Sequence, residues 1–255
     1  MEEDFYNILA DYYDCLQEGM DPEAWAEYID ALAKKYCKSE GEGENHNKIL
    51  VDLGCGSGII TAELAEKHGY ETIGIDRSDC MLDAARERSS KALWLNQDIT
   101  DYELFGAADV FISTLDTVNH ILEADDIAKI FKSFANYMAP GGVFIFDAGT
   151  QKHFEQTLGT NVFYQDYEDF TLLWDNDYDA EQGLSTSAMT LFYSEDGGET
   201  YGRVDGEIVE RYYPQVLFSH LGEKYGMEMV AILGELSFEA PTPDDERMFF
   251  VFRKK

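Results

Sequence analysis

An α/β fold, a doubly wound and mostly parallel sheet, is predicted by three features of this 255-residue chain. Between residues 48 and 147, short apolar runs alternate with amphipathic helical stretches. The runs are near-continuous in apolar residues, as strands covered on both faces require. A glycine-rich segment, VDLGCGSG at 51–58, stands between the first strand and its helix and is the strongest local signal.

The elements follow in order. Residues 4–16 and 22–37 read as helices. In the second, Asp21-Pro22 supplies a cap and a first-turn proline, and Trp25, Ile29, Leu32 and Tyr36 recur at helical spacing. The polar stretch 38–47 reads as an exposed linker. KILVDL (48–53) is the first strand, and a helix over about 58–68 stops at His68-Gly69. ETIGID (71–76) is the next strand, and Ser78 caps a helix carrying Met81, Leu82 and Ala85. A short strand at 92–95 leads to QDI (97–99), and ADVFIS (108–113) is another buried strand. The helix at 123–138 places Ile127, Ile130, Phe131, Phe134 and Met138 on one stripe, and APGG then turns the chain into VFIFD (143–147).

The pattern changes after that strand. Following a short helix at 150–158, the segments 162–175, 184–194 and 200–212 are rich in Tyr, Phe, Thr and Val and are separated by Gly/Asp turns such as Asp196-Gly197-Gly198. These are signals of antiparallel hairpins. A helix near 214–226 and strands at 227–235 and 247–253 finish the chain. Four parts are expected: N-terminal helices and linker (1–47), the α/β core (48–150), a β insertion (151–213) and a closing helix with strands (214–255).

Charge narrows the function. Nineteen Lys and Arg stand against 51 Asp and Glu, a net charge of −32, while 45% of the chain is hydrophobic. That composition supports a packed core but repels phosphate backbones and anionic membranes. No apolar run approaches the roughly 18–20 residues that span a bilayer. The opening MEEDFYNILADYYD carries no basic region of a signal peptide, so a cytoplasmic protein is expected. Cys15, Cys37, Cys55 and Cys80 show no metal-ligand spacing, so free thiols and no metal are expected. The acid excess is uneven. Residues 1–33 hold 10 acids and no Lys or Arg, and residues 155–210 hold 14 acids and only Arg203. The core 48–147 holds 17 acids and 8 bases. An acidic rim favours neutral or cationic acceptors over phosphorylated ones, although solvated faces with no such role account for it as well.

The glycines of the loop fall at 54, 56 and 58, whereas a dinucleotide fingerprint needs its third glycine at 59, which is Ile59. Asp52, two residues before the first glycine, repels a pyrophosphate and attracts an ammonium. Asp76 ends the next strand, where carboxylates accept from ribose hydroxyls. The pair suits a cationic nucleoside without phosphates.

With DLGCGSG, GIDRS (74–78), QDI (97–99), DVFISTLDTVNHI (109–121) and GGVFIFD (141–147) in this order, the chain resembles the class I S-adenosylmethionine-dependent methyltransferases. NILADYYD at the start and FEAPTPDDERMFFVFRKK at the end resemble a small-molecule branch with an N-terminal helical lid and a β insertion. The resemblance implies a Rossmann-like methyltransferase fold with an antiparallel last strand, and S-adenosylmethionine as cofactor. By the same resemblance, Asp52 holds the methionine ammonium, and Gly54, Cys55 and Gly56 form the loop the cofactor approaches. Asp76 takes both ribose hydroxyls, Arg77 and Met81 flank the adenine, and Asp98 with the Ile99 N–H meets its edge. Leu115 faces the reactive sulfur, and Tyr6 and Tyr13 close over the methionine end. The segment STLDTVNH replaces the NPPY-type motif of relatives that act on planar amides or bases, which argues against those substrates.

Structural roles compete with these. An Asp ending a strand also serves as a helix-entry cap, and Cys55 reads as packing rather than as a nucleophile. His120, just past the fourth strand, is the candidate base for a small N or O acceptor, and Asp147 ends the fifth strand with similar standing. Tyr167, Trp174, Tyr178 and Tyr213 line either an aromatic pocket or the core of their own small sheet. Alignment alone supplies about 7–11 kcal/mol of such a displacement, so no universal catalytic residue is required. A monomer or a homodimer is expected. The competing functions are a non-catalytic cofactor-binding module and an NAD(P)-linked oxidoreductase, the latter disfavoured by Ile59 and Asp52. Replacing Asp76 (Asp76→Ala) is expected to abolish S-adenosylmethionine affinity in a folded protein. Unchanged binding by calorimetry would overturn the cofactor assignment.

Overall fold

The computed structural model describes Phe5, Ile8, Leu9, Tyr12 and residues 19–39, 47–194 and 196–255. The first full helix, α1 (Pro22–Tyr36), begins where the Asp21 carboxylate accepts from the backbone N–H groups of Glu23 and Ala24 at 3.0 and 3.3 Å. Its apolar stripe, with Trp25, Ile29 and Leu32, is buried against one face of the main sheet.

Strands β1 (Ile49–Leu53), β2 (Glu71–Asp76), β3 (Leu93–Asn96), β4 (Ala108–Ser113) and β5 (Met138–Gly149) alternate with α2 (Ile59–Lys67), α3 (Asp79–Arg88) and α4 (Ala124–Tyr137). A 3-10 turn at Thr117–His120 follows β4, and a π-helical turn at His153–Leu158 follows β5. Strands β6 (Val162–Asp166), β7 (Phe170–Asp179), β8 (Leu184–Tyr193) and β9 (Gly202–Arg211) form a separate antiparallel sheet in that order. Helix α5 (Gln215–Lys224) and strands β10 (Met227–Gly234) and β11 (Arg247–Lys254) return to the main sheet.

The main sheet has the order β10-β11-β5-β4-β1-β2-β3, and only β11 runs antiparallel to its neighbours. This is the Rossmann-like arrangement expected. Residues alternate strictly across it: Phe144, Phe146, Phe250 and Phe252 pack with α4 and α5, while Val143, Ile145, Phe249 and Val251 pack with α1 and α2. Strand order reverses between β1 and β4, so the loops leaving their carboxyl ends diverge and open a crevice, the usual ligand position in such sheets.

Two boundaries differ from expectation. The APGG segment does not precede β5 but lies within it, with a register shift between Ala108 and Val110 on the paired β4. Gly141, at φ +76°, makes this irregularity possible, and its carbonyl accepts from Lys38 N–H at 2.8 Å. The segment 162–175 is two strands, broken where Tyr167 N–H bonds back to the Phe170 carbonyl at 2.8 Å. The rings of Tyr167 and Phe170 stack across that turn at 4.5 Å, which is why aromatic residues ran through the break unnoticed.

The described N-terminal residues Phe5, Ile8, Leu9 and Tyr12 are helical and pack on the small sheet, against Phe170, Leu172 and Leu191. Gly206 makes room for Phe5, since a Cβ there would lie 2.1 Å from its ring. Tyr6 and Tyr13 lie outside the described residues, as do Cys15 and most of the expected linker. No helix among the described residues is long and apolar enough to cross a membrane.

Trp94 of β3 lies flat over β2, and a Cβ on Gly74 would sit 2.4 Å from its ring and 2.9 Å from Cys55 Sγ. Gly74→Ala is therefore expected to cost about 1–3 kcal/mol through overpacking, read as a lowered urea midpoint with an unchanged slope.

Candidate functional site

The loop after β1 is shaped by three left-handed glycines, Gly54, Gly56 and Gly58, at φ +80°, +53° and +73°. The N–H groups of Gly54 and Cys55 both bond to the Ile75 carbonyl, at 2.8 and 3.0 Å, which pins the loop to β2. Gly54 must also be a glycine because the loop after β4 presses on it: a Cβ would meet Thr117 Cγ2 at 2.3 Å. In front of Gly56 there is nothing within 4 Å, so the crevice opens at that residue. A pocket between the two loops is lined by Asp52, Gly54, Gly56, Ile59, Thr114 and Leu115, among others.

Asp52 is 2% exposed. Its Oδ2 accepts from the hydroxyl of Thr61 on the first turn of α2, while its Oδ1 is buried with no hydrogen-bond partner among the described residues. Burial pushes the carboxyl up to about 7, against the Thr61 bond, and the negative charges of Asp76 and Asp147 add to the rise. An unpaired buried carboxylate oxygen in a pocket is a site for a cation with N–H donors. An ammonium fits it.

Asp76, at the end of β2, accepts from Gly56 N–H and Ser78 N–H, one on each oxygen at 2.9 Å, and keeps further lone pairs for hydroxyl donors. Arg77 is exposed beside it, and Met81 lies in the first turn of α3, where its N–H donates to the capping hydroxyl of Ser78 at 3.3 Å. Asp98 Oδ1 is taken by the N–H and hydroxyl of Thr100 at 2.8 and 2.7 Å. Burial works to raise that carboxyl, but these bonds hold it below its ordinary value. Ile99 is half-buried next to it. The structure thus gathers Asp52, the glycine loop, Asp76 and Leu115 around one crevice. Cys55 points the other way, packing with Trp94, Leu82 and Ala85, and burial drives its thiol strongly upward, so it is no thiolate.

The loop after β4 holds two non-glycine residues in left-handed geometry, Leu115 at φ +57° and Asp116 at φ +63°. Both are fixed by Asp147, which is fully buried and accepts from Leu115 N–H at 2.8 Å and Asp116 N–H at 3.1 Å. Arg247, at the start of β11, bonds Asp147 and also Asp116, the latter at 2.6 Å. Asp147 therefore has its oxygens committed to holding the loop, and it is a positioning group rather than a base. Asn119, fully buried in the 3-10 turn, donates to the Arg211 carbonyl at 2.8 Å and accepts from Gly149 N–H at 3.0 Å, joining the small sheet to β5. Tyr213 adds a bond from its hydroxyl to the Ile121 carbonyl at 2.6 Å, so it is a tie rather than part of an aromatic pocket. Tyr167 and Trp174 pack within the small-sheet core.

His120 ends the 3-10 turn with its ring open to the cleft, and its Nε2 lies 3.8 Å from Glu210 Oε1. Desolvation by the cleft walls holds the imidazole below its ordinary pKa, opposed by Asp116 and Asp76 and aided by Arg77. Thr61, Asp116, Glu210 and Arg247 were missed by sequence reasoning. One signal for Arg247 was available: a lone arginine opens the otherwise apolar run MFFVF.

The "Methyltransferase domain" family matches residues 50–142, which contain the glycine loop and both strand-end carboxylates, Asp52 and Asp76. The chain is 26% identical over 253 residues to a putative methyltransferase, YqeM, of Bacillus subtilis, covering 98% of this chain and 97% of that protein. It superposes on the crystal structure of an S-adenosylmethionine-dependent methyltransferase from Clostridium acetobutylicum with a TM-score of 0.83, at 27% identity and 98% coverage of both chains. The sugar N-methyltransferase KedS8 from Streptoalloteichus shares the fold, with a TM-score of 0.74 at 17% identity over 95% of this chain and 93% of its own.

The pH dependence of stability tests the Asp52 environment. Its folded pKa of about 7 lies above the ordinary aspartate value of about 3.9. The folded state therefore binds the extra proton between those values, and this stabilisation is complete at low pH and lost as pH rises through about 7. Urea melts of the ligand-free protein are expected to show a fall in stability between about pH 4 and pH 7 that Asp52→Asn reduces. An unaltered fall in the variant would place the titration elsewhere.

Proposed function

We propose that this chain is a class I S-adenosylmethionine-dependent methyltransferase that, with S-adenosylmethionine as its cofactor, methylates a nitrogen or oxygen nucleophile of a small molecule. The observation that carries the cofactor half of this reading is the buried, unpartnered Asp52 Oδ1 facing a crevice beside an unobstructed Gly56. When bound, S-adenosylmethionine supplies a methyl group on a sulfonium, a ready leaving group.

In the proposed arrangement Asp52 receives the methionine ammonium and Gly54 and Gly56 let the backbone come close. Asp76 takes the ribose hydroxyls with the lone pairs left free by Gly56 and Ser78. Arg77 and Met81 border the base, and Asp98 and the Ile99 N–H meet its polar edge, Asp98 through the oxygen that Thr100 leaves open. Leu115 is held toward the reactive end by the Asp147 bonds, and this rigid placement is the main contribution to rate, since orientation alone is worth about 7–11 kcal/mol. We assign residues 48–150 to cofactor binding, 1–47 to the lid and linker, 151–213 to the acceptor cover and 214–255 to completion of the sheet.

The acceptor half rests on His120. It stands between the small sheet and the cofactor crevice, and its lowered pKa keeps it neutral and able to accept a proton near pH 7. The likeness to the sugar N-methyltransferase named above, over 95% of this chain, supports a small acceptor.

Formation of S-adenosylhomocysteine from S-adenosylmethionine is expected with a protein-free metabolite extract as acceptor source. Turnover only with the macromolecular fraction would overturn the small-molecule reading. In the same assay His120→Ala is expected to lower kcat by about 100-fold or more while affinity for S-adenosylhomocysteine is kept. Equal loss of both would make His120 a binding residue.

A further inference from the structure

The small sheet contributes a carboxylate to the acceptor side that cofactor binding does not use. Glu210 is the penultimate residue of β9, its side chain is 15% exposed, and its Oε1 faces His120 Nε2 at 3.8 Å. Asp116 from the β4 loop, His153 from the π-helical turn and Arg247 from β11 stand near enough to act on its charge. His153 is already engaged by Glu246 at 3.6 Å.

This wall carries more negative than positive charge. The single guanidinium of Arg247 is shared by Asp147, Asp116 and Glu235. Glu210 adds another acid without an arginine or lysine within ion-pair distance among the described residues. Burial accordingly pushes its carboxyl up to about 7, with Asp116 adding to the rise and His153 and Arg247 resisting it.

A second observation comes from the register of the sheet. Ser185 on β8 lies directly opposite Glu210, so the two side chains share a face with their Cβ atoms about 4.5–5.5 Å apart. Ser185 is 1% exposed, and its hydroxyl has no hydrogen-bond partner among the described residues. A buried hydroxyl left without a partner is costly, and a polar ligand at Glu210 removes that cost.

We infer that Glu210, with Ser185 beside it, makes the acceptor site selective for a small amine, holding its ammonium and stabilising the imidazolium that His120 becomes on taking its proton. The inference rests on the methyl-transfer reading above and narrows the nucleophile from nitrogen or oxygen to nitrogen. An alcohol leaves the surplus negative charge unmatched, whereas an ammonium neutralises it. The step balances. One proton passes from the ammonium nitrogen to His120 Nε2, the freed lone pair forms the new N–C bond, and the C–S bonding pair stays on sulfur. The product is a methylated ammonium and a neutral thioether, and His120 returns its proton to solvent.

The test measures binding, by calorimetry, of cyclohexylamine against cyclohexanol and of 2-aminoethanol against ethylene glycol to the protein saturated with S-adenosylhomocysteine. At about pH 8, Glu210 is ionised while alkylamines keep their charge. Each amine is expected to bind about tenfold or more tightly than its alcohol. Glu210→Gln should erase that preference while leaving S-adenosylhomocysteine affinity unchanged. The preference should also grow as pH rises through about 7 in the parent protein, because Glu210 ionises there, and stay flat in the variant. His120 titrates below its ordinary value, so it does not produce that rise. A preference that survives Glu210→Gln, or the absence of any amine preference, overturns the inference. Failure of the parent protein to bind S-adenosylhomocysteine would strike the cofactor-site reading instead.

Discussion

The geometry of the crevice depends on one buried carboxylate. Asp147 is fully buried at the centre of the sheet, and both its oxygens point at the loop that leaves the neighbouring strand. That loop needs the help. Left-handed geometry at two successive non-glycine residues, Leu115 and Asp116, costs on the order of 1–3 kcal/mol for each. The two N–H bonds to a charged acceptor offset that strain. The charge in turn requires a counter-ion, which comes from Arg247 at the opening of the antiparallel strand β11. Breaking such a buried pair costs about 3–5 kcal/mol because a naked charge is left behind. The guanidinium also lies over the Trp25 ring at 5.4 Å, so α1, β4, β5 and β11 all meet at this one pair.

From this anchor the constraint passes outward. With Asp116 fixed, Asn119 N–H and His120 N–H bond to its carbonyl at 2.7 and 3.3 Å, and the 3-10 turn is set. Asn119 then clamps β9 to β5, and the position of Glu210 relative to His120 follows from that clamp. The small sheet is thus not loosely appended. Its last strand is registered to the core through side chain–backbone bonds, while Phe5 and Leu9 cover, further along, the same face that carries Glu210. The small sheet is thereby tied to β5 at the end that carries Glu210.

Most of the main sheet was legible because its strands are buried on both faces. ETIGID and ADVFIS are bounded by polar or glycine-rich residues on either side, and β2 and β4 occupy those same residues. The cofactor crevice was legible in part for a related reason: Asp52, the glycines and Asp76 lie within a short stretch and follow strand ends. The rest depends on register between distant segments. Arg247 meets Asp147 across 100 residues, and Glu210 meets His120 only after Asn119 has docked two sheets. Neither relation leaves a periodic trace. Thr61 was nearer, nine residues after Asp52, but its role appears only once the helix turns its first residues back over the strand.

The large negative charge divides along the same line. In the small sheet many acids have a local structural use. Asp179 accepts from the N–H groups of Glu181 and Gln182, and Asp196 from Thr200 and Ser194, each closing a turn. Asp205 is spent on Arg203 and Thr190. Such residues are turn-builders and surface partners, so their number does not speak for a charged acceptor. Glu210 differs from them in position rather than in charge. It closes no turn, it faces an imidazole and an arginine-poor wall, and it lies beside an unpaired buried hydroxyl. A group that costs solvation and is offset by nothing local is retained where something transient completes it. The argument about the acceptor therefore rests on one acid out of the many, while insertion acids such as Asp179 and Asp196 are accounted for by the turns they close.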